Sequence, residues 1–377
     1  MKVLITNADL DMHAGTQIVV RDLAFQLVRL GHRPMVYSHK PGKVASELSN
    51  QGIEVTDDLE RLSGPPDVIH GHHHALVMES LLRFPDTPAI LVCHAAGGFT
   101  EQPVYFPRIL RYVGVDDRCR RRLENVAEIP RQRIGVILNA VDLERFRPRG
   151  ILPARPKRAA IFSNRAGRFS HLPPIRKVCD EMGIALDVLG QQGRKPPVPN
   201  PEAFLPQYDL VFAKARCALE ALAVGSAVVL CDAAGAGPLV TSENFDALRP
   251  MNFGAGVLLN PLEVAHLRAQ VERYDREDAA AVSQRVRREA DLREISRLWI
   301  ALYMDVLKEF GLARPGKDEE TAAAAAYSRK WRARSRIEWT RSQLRKLVPA
   351  PVFGSGISHL GRRIFAKTQR PKENINL

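Results

Sequence analysis

Residues 209–232 read DLVFAKARCALEALAVGSAVVLCD. An apolar run over Asp209–Phe212 leads into a loop of small residues, a helical stretch over Ala218–Val224 and a second apolar run over Ala227–Cys231. Short continuous apolar runs read as strands buried on both faces, and a helix between two of them is the crossover of a parallel sheet. The strand-to-helix loop of such a sheet is where ligands bind, because the helix N-terminus presents unpaired N–H groups there. Lys214 and Arg216 stand in that loop and could meet phosphate charge. Glu220 falls in the predicted first turn of the helix, where a carboxylate either accepts hydrogen bonds from a ribose diol or simply balances the helix dipole.

The same alternation extends in both directions. Toward the N-terminus lie a strand at Ala159–Ser163, a helix at Pro173–Met182 and a strand at Ala185–Leu189, preceded by the Pro- and Arg-rich connection GILPARPKR. Before it, a strand at Val3–Thr6, a helix at Gln17–Leu30 ending at Gly31 and a strand at Arg33–Tyr37 make a βαβ unit, which requires a right-handed crossover. Further strands are expected at Asp67–His70, Ala89–His94, Tyr112–Val115 and Ile134–Leu138. The fold class is therefore α/β, with two Rossmann-like, doubly wound parallel sheets facing one cleft. Residues 1–150 would form the first domain and 151–311 the second, closed by a long helix over Asp291–Phe310. Residues 312–377 would form a helical tail, basic from Ala322 onward, with a break at VPAPVFGSG.

Other candidate site residues sit at strand ends. Gly15, in HAGTQ, opens the first helix without a side chain and lets a phosphate or sugar approach its N–H groups, although a plain turn would also use glycine. The dinucleotide fingerprint GxGxxG is absent, which disfavours NAD. DVIHGHHH brings His70, His72, His73 and His74 together, but no fourth ligand stands at metal spacing, so histidines at a strand end over the cleft are expected rather than a zinc site. His94 ends the apolar strand ILVC at a Gly-rich turn, a position for a catalytic group. Arg165, after AAIFSN, is the candidate pyrophosphate clamp, since a guanidinium pairs bidentately with phosphate oxygens; Arg168 and Lys177 are secondary candidates, and structural ion pairs would explain all three.

The chain of 377 residues carries a formal charge of +13, of which the segment Lys317–Leu377 holds +9 (fourteen Lys or Arg against five Asp or Glu). Such a tail attracts anionic partners: a phospholipid surface, with Trp331 and Trp339 suited to an interface, or nucleic acid, which is the less expected of the two. No apolar run reaches the length of a membrane span and the start lacks a signal-peptide layout, so a cytoplasmic protein is expected, peripheral on the inner membrane face if the tail anchors it. The five cysteines are scattered, without CxxC spacing, and read as free, mostly buried thiols.

These motifs together resemble the donor-binding core and linker of GT-B glycosyltransferases, in particular the retaining family 4 (group 1) enzymes. Glu220, Ala221, Leu222, Ala223, Val224 and Gly225 are similar to that family's Glu-Ala-(Met/Leu)-Ala-x-Gly helix. HAGTQIVVRDLAFQLVRLGHRPMVYS is similar to its glycine loop and first helix, DVIHGHHH to its Asp-x-Ile-His strand, and ILNAVDLERFRP to its linker, so the likeness spans roughly residues 1–311. AAGAGPLVT and NFGAGVLLNPLE resemble its sugar-contacting loop and the following turn. Phe212 occupies the position where many members carry an earlier glutamate, and the shortened loop is similar to that of the muramyl-pathway N-acetylglucosaminyltransferase.

The resemblance implies transfer of a sugar from a nucleotide diphosphate sugar to a hydroxyl of a glycan or lipid-linked acceptor, retaining and without metal or cofactor. Glu220 would hold the ribose, Gly15 and Thr16 would border the diphosphate, and the loop carrying Gly235, Ala236, Gly237, Pro238 and Leu239 would face the sugar. His94 would lie beside the reacting carbon. Two other readings stay open at this level: a sugar-nucleotide epimerase of the same architecture, and a noncatalytic binding protein that keeps the fold.

Overall fold

In the computed structural model, which describes residues 1–13, 15–190 and 200–331, the first apolar run is strand β1 (Lys2–Thr6). It leads through the short β2 (Asp9–Leu10) into helix α1 (Gly15–Arg29). β3 (Arg33–Tyr37) returns parallel to β1, while β4 (Lys40–Pro41) pairs with β2 outside the main sheet. α2 (Lys43–Asn50), β5 (Glu54–Thr56), β6 (Val68–His72), α3 (His74–Arg83), β7 (Ala89–Cys93), β8 (Ile109–Gly114), α4 (Asp117–Glu124) and β9 (Ile134–Val136) complete the first lobe. Its seven strands run in the order β5-β3-β1-β6-β7-β8-β9, all parallel. Helices cover both faces, which is why β6 and β7 are buried at every position; β7 carries an unbroken apolar run rather than an alternation, whereas β6 buries His70 and His72.

The second lobe repeats the plan with β10 (Arg158–Phe162), α5 (Leu172–Glu181), β11 (Ala185–Leu189), α6 (Pro201–Phe204), β12 (Leu210–Ala213), α7 (Ala215–Val224), β13 (Ala227–Asp232) and β14 (Gly235–Leu239). α8 (Phe245–Leu248), α9 (Val264–Glu272) and α10 (Arg276–Glu289) follow. The strand order is β11-β10-β12-β13-β14, with β14 antiparallel. α7 ends where Gly225 takes φ 101°, a left-handed C-cap that lets its N–H return to Ala221 and Leu222 carbonyls.

Two expectations are corrected here. α7 begins at Ala215 rather than Ala218, so Glu220 lies in the second turn, away from the helix dipole's N-terminal end. Gly235–Leu239 is not a loop: Ala234 N–H donates to Asp232 Oδ1 at 2.6 Å, the chain reverses, and the next five residues extend the sheet. Their smallness serves packing. A Cβ on Gly235 would stand 2.8 Å from the Asn260 carbonyl oxygen, and one on Gly237 would stand 2.8 Å from that of Val257.

The last long helix, α11 (Leu292–Leu312), is capped by Asp291, whose side chain accepts from Arg293 N–H. It starts beside the interlobe linker, where Val141 N–H donates to Ala290 O and Leu292 N–H to Val141 O. It then crosses back onto the first lobe, burying Trp299 and Tyr303 against His70. Residues 1–315 form one compact unit and 316–377 another; in the latter, residues 317–331 are helical, with the Tyr327 and Trp331 rings 5.7 Å apart. The basic stretch beyond, with Trp339, lies outside the described residues. No helix among the described residues is long and apolar enough to cross a membrane.

Candidate active site

Each sheet's strand order reverses direction at one place: beside β1 and β6 in the first lobe, and beside β10 and β12 in the second. Loops leaving the strand ends there diverge to opposite faces and leave a crevice. The two crevices face one another across a groove of about 360 Å³. His13, Gly15, Ile18 and Arg21 line it from the first lobe, and Arg145 and Phe146 from the linker. The second lobe contributes Ser163, Asn164 and Arg165 after β10, Lys214, Ala215 and Arg216 after β12, and Glu220, Cys231 and Asp232 behind them. Gly15 and Glu220, some 200 residues apart in sequence, thus face the same space.

Glu220 is 5% exposed, and its Oε1 accepts from Arg216 Nε at 2.7 Å, a pairing set by their spacing of one helical turn. Burial pushes the Glu220 carboxyl above its usual range despite the adjacent Arg216. Its Oε2 has no hydrogen-bond partner among the described residues. Arg216 also reaches across the groove to Asp22 of α1. Burial opposes its charge, but Asp22 and Glu220 outweigh burial and hold it protonated.

Lys214 is engaged by Asp232. Arg165 differs from the other groove cations, because it is exposed and no carboxylate among the described residues pairs with its guanidinium. Gly15 is exposed at the first turn of α1, and nothing stands within 4 Å of where its Cβ would be. Thr16, half-buried beside it, does not line the groove. Arg168 stacks on Phe169 and Lys177 is exposed on α5, both off the groove wall. Phe212 is fully buried in the second lobe's core and does not line the groove. None of Gly235, Ala236, Gly237, Pro238 or Leu239 lines it either.

One residue of the groove wall, Ala215, has a strained backbone, supported by a strained segment behind it. Ala215 has φ 49°, and its N–H donates to the Phe253 carbonyl at 2.7 Å; Asn252 and Phe253 are themselves left-handed, at φ 53° and 51°. For non-glycine residues such conformations cost about 1–2 kcal/mol each and persist where the surroundings over-determine them.

His94 lies apart from Glu220, in a smaller adjoining cavity that Asp22 lines and that shares Arg216 with the groove. Its Nε2 is 2.6 Å from His72 Nδ1 with the rings stacked, and its backbone N–H donates to Glu101 Oε2. His70 sits next in the row, its Nδ1 2.7 Å from the Tyr303 hydroxyl. Burial drives these imidazoles neutral: His94 is brought down to about 4, His70 to about 3, and His72 well below its ordinary value. Among the described residues no group of three or more His, Cys, Asp or Glu side chains is arranged to hold a metal ion. All five cysteines are free thiols.

Reading the sequence misses Arg21, Asp22 and Arg145. Asp22 is 3% exposed on the buried stripe of α1, one turn from Ile18. Adjacent opposite charges among the apolar residues of α1 were the available signal, but two of the partners of Asp22, Arg145 and Arg216, lie on other elements.

The paired sheets, the returning last helix and the interlobe groove define the GT-B architecture. Residues 13–145 match the family model of Glycosyltransferase Family 4, which bears out the resemblance read from the motifs. Solved structures share the fold. A glycosyltransferase from Rickettsia africae has a TM-score of 0.60 at 14% identity, over 81% of this chain and 98% of that one. HepE of Anabaena, solved in complex with UDP-glucose, has 0.58 at 12%, over 82% and 100%. A sucrose-phosphate synthase from Thermosynechococcus elongatus has 0.56 at 13%, over 82% and 99%. No curated protein matches the chain in sequence.

Proposed function

We propose that this protein moves a glycosyl group, of hexosyl type, from a nucleoside diphosphate sugar to a hydroxyl of a glycan or lipid-linked acceptor, with retention and without a metal cofactor. The observation that carries the reading is the shared groove: an open helix start at Gly15 on one wall, and the unpartnered Oε2 of Glu220 with the unpaired Arg165 on the other. The Glycosyltransferase Family 4 match over residues 13–145 and the UDP-glucose in HepE support it. In this reading Glu220 Oε2 accepts from the ribose diol, while Arg165 and the N–H groups of the helix start at Gly15 hold the diphosphate. The bond from the anomeric carbon to the diphosphate oxygen breaks, and the acceptor oxygen bonds that carbon on the same face. The acceptor's proton passes to the departing phosphate. Fixed cations and the helix start aimed at the developing charge supply the electrostatic stabilisation that such a step needs. In this reading His94 lies beside the reacting carbon, in the cavity that shares Arg216 with the groove.

The test is a donor screen that reads nucleotide release from UDP-, GDP- and ADP-sugars with and without a mixed glycan and lipid-linked acceptor pool. Acceptor-dependent release from one donor class is expected. Turnover of donor with no acceptor and no nucleotide released would contradict the reading.

A further inference from the structure

We infer that Asp22 is a positioning residue for nucleotide binding, acting through Arg216, and that it joins the first helix of one lobe to the helix bearing Glu220 in the other. The inference rests on the reading just proposed.

A buried lone carboxylate costs several kcal/mol, so one kept at 3% exposure requires compensating partners. Asp22 has three, and they are divided between its oxygens. Oδ1 accepts the fork of Arg21, from Nε at 3.0 Å and Nη2 at 2.8 Å, and lies 3.5 Å from Arg145 Nη1. Oδ2 is given to Arg216 Nη2. Arg21, Arg145 and Arg216 all line the groove, whereas Asp22 does not. It stands behind them, on the wall shared with the histidine cavity.

Arg216 is held through two of its nitrogens. Nη2 meets Asp22, 194 residues away, and Nε meets Glu220 Oε1, which leaves Oε2 as the oxygen open to a ligand. Releasing Nη2 from Asp22 frees the Nε–Nη2 fork to turn wholly onto Glu220 and occupy both oxygens, since Arg and carboxylate pair bidentately when nothing else constrains them. Arg145 reinforces the same node, reaching Glu202 of α6 at 2.9 Å from its other side. The charges therefore alternate from Glu47 through Arg21, Asp22 and Arg216 to Glu220, linking α2 to α7.

Asn at position 22 cannot replace this. It offers one acceptor oxygen and one NH2 group, so either orientation sets a donor against a guanidinium.

The test is a double-mutant cycle on nucleoside diphosphate affinity, measured by calorimetry on the full chain with the nucleotide that the wild type binds tightest. Each variant is first shown by circular dichroism to be folded and to melt cooperatively. Asp22→Asn is expected to weaken binding about tenfold in the wild-type background and by less than about twofold in an Arg216→Gln background. Asp22→Glu keeps the charge but moves it by one methylene, and covers the case in which the amide variant does not fold; it should show the same dependence on Arg216 at smaller amplitude. Equal effects in both backgrounds would overturn the inference, as would a lowered melting temperature with unchanged affinity, which is what a purely structural Asp22 would give. A wild type that binds no nucleoside diphosphate defeats the proposed function itself, and this inference with it.

Discussion

Glu220 and Arg165 face the groove with different degrees of freedom, and that difference sets what their loss should do. Glu220 is buried and half-engaged, so Glu220→Ala removes a ligand acceptor and also strips Arg216 of one of its two carboxylates. Arg165 is exposed and unpaired, so Arg165→Ala removes only a cation. A hydrogen bond to a charged group is worth about 1.5–3 kcal/mol, so each substitution should weaken nucleotide binding roughly 10- to 100-fold. Glu220→Ala should also lower the melting temperature, whereas Arg165→Ala should leave it unchanged. Parallel titration and melting of the two variants checks this, and an Arg165→Ala protein that binds as the wild type does would remove that residue from the site. The Glu220–Arg216 pair escapes the sequence reading, because placing Arg216 in the loop ahead of Ala218 hides that the two lie one turn apart on the same helix. The tie from Arg216 to Asp22 escapes it too, because no local pattern links residues that meet only when two lobes close on each other.

Among the elements, α1, β3 and β11 emerge within a residue or two of where their apolar spacing puts them, because their burial is local and periodic. α7 and β14 do not. The start of α7 is set by Ala215 in a left-handed conformation bonded to the Phe253 carbonyl, a tertiary constraint that small residues neither require nor announce. β14 is read as a loop from its likeness to the family's sugar-contacting segment, yet its glycines are there because the 255–260 segment packs where a Cβ would stand. At the other end of α7, Gly225 is needed for its positive φ, and its added Cβ would meet nothing closer than 3.5 Å. Gly225→Ala should therefore cost backbone strain alone, about 1–2 kcal/mol. A denaturant midpoint lowered accordingly, with an unchanged slope, is the expected result; no shift would mean that the turn relaxes.

At the scale of the molecule, the two lobes are joined by the linker, the returning α11 and the Asp22 node, and the first lobe's interior carries neutral histidines. The folded values of His70 and His94 lie at about 3 and 4, below the ordinary 6.5 of an unfolded chain. As pH falls below about 6.5, the unfolded chain takes up these protons and the native protein does not, so stability is present above that pH and is lost toward pH 4. The fully buried His70 alone contributes up to about 1.4 kcal/mol per pH unit in that window. Melting temperatures measured from pH 7 to 4.5 should fall steadily, and His70→Gln should show a shallower fall than the wild type; equal slopes would separate the histidines from the acid lability. The central claim, that the interlobe groove is built for a nucleoside diphosphate, is tested most directly by titrating the full-length protein with UDP, GDP and ADP in a calorimeter. Saturable one-to-one binding of at least one of them is predicted, while the absence of binding heat from all three would contradict it.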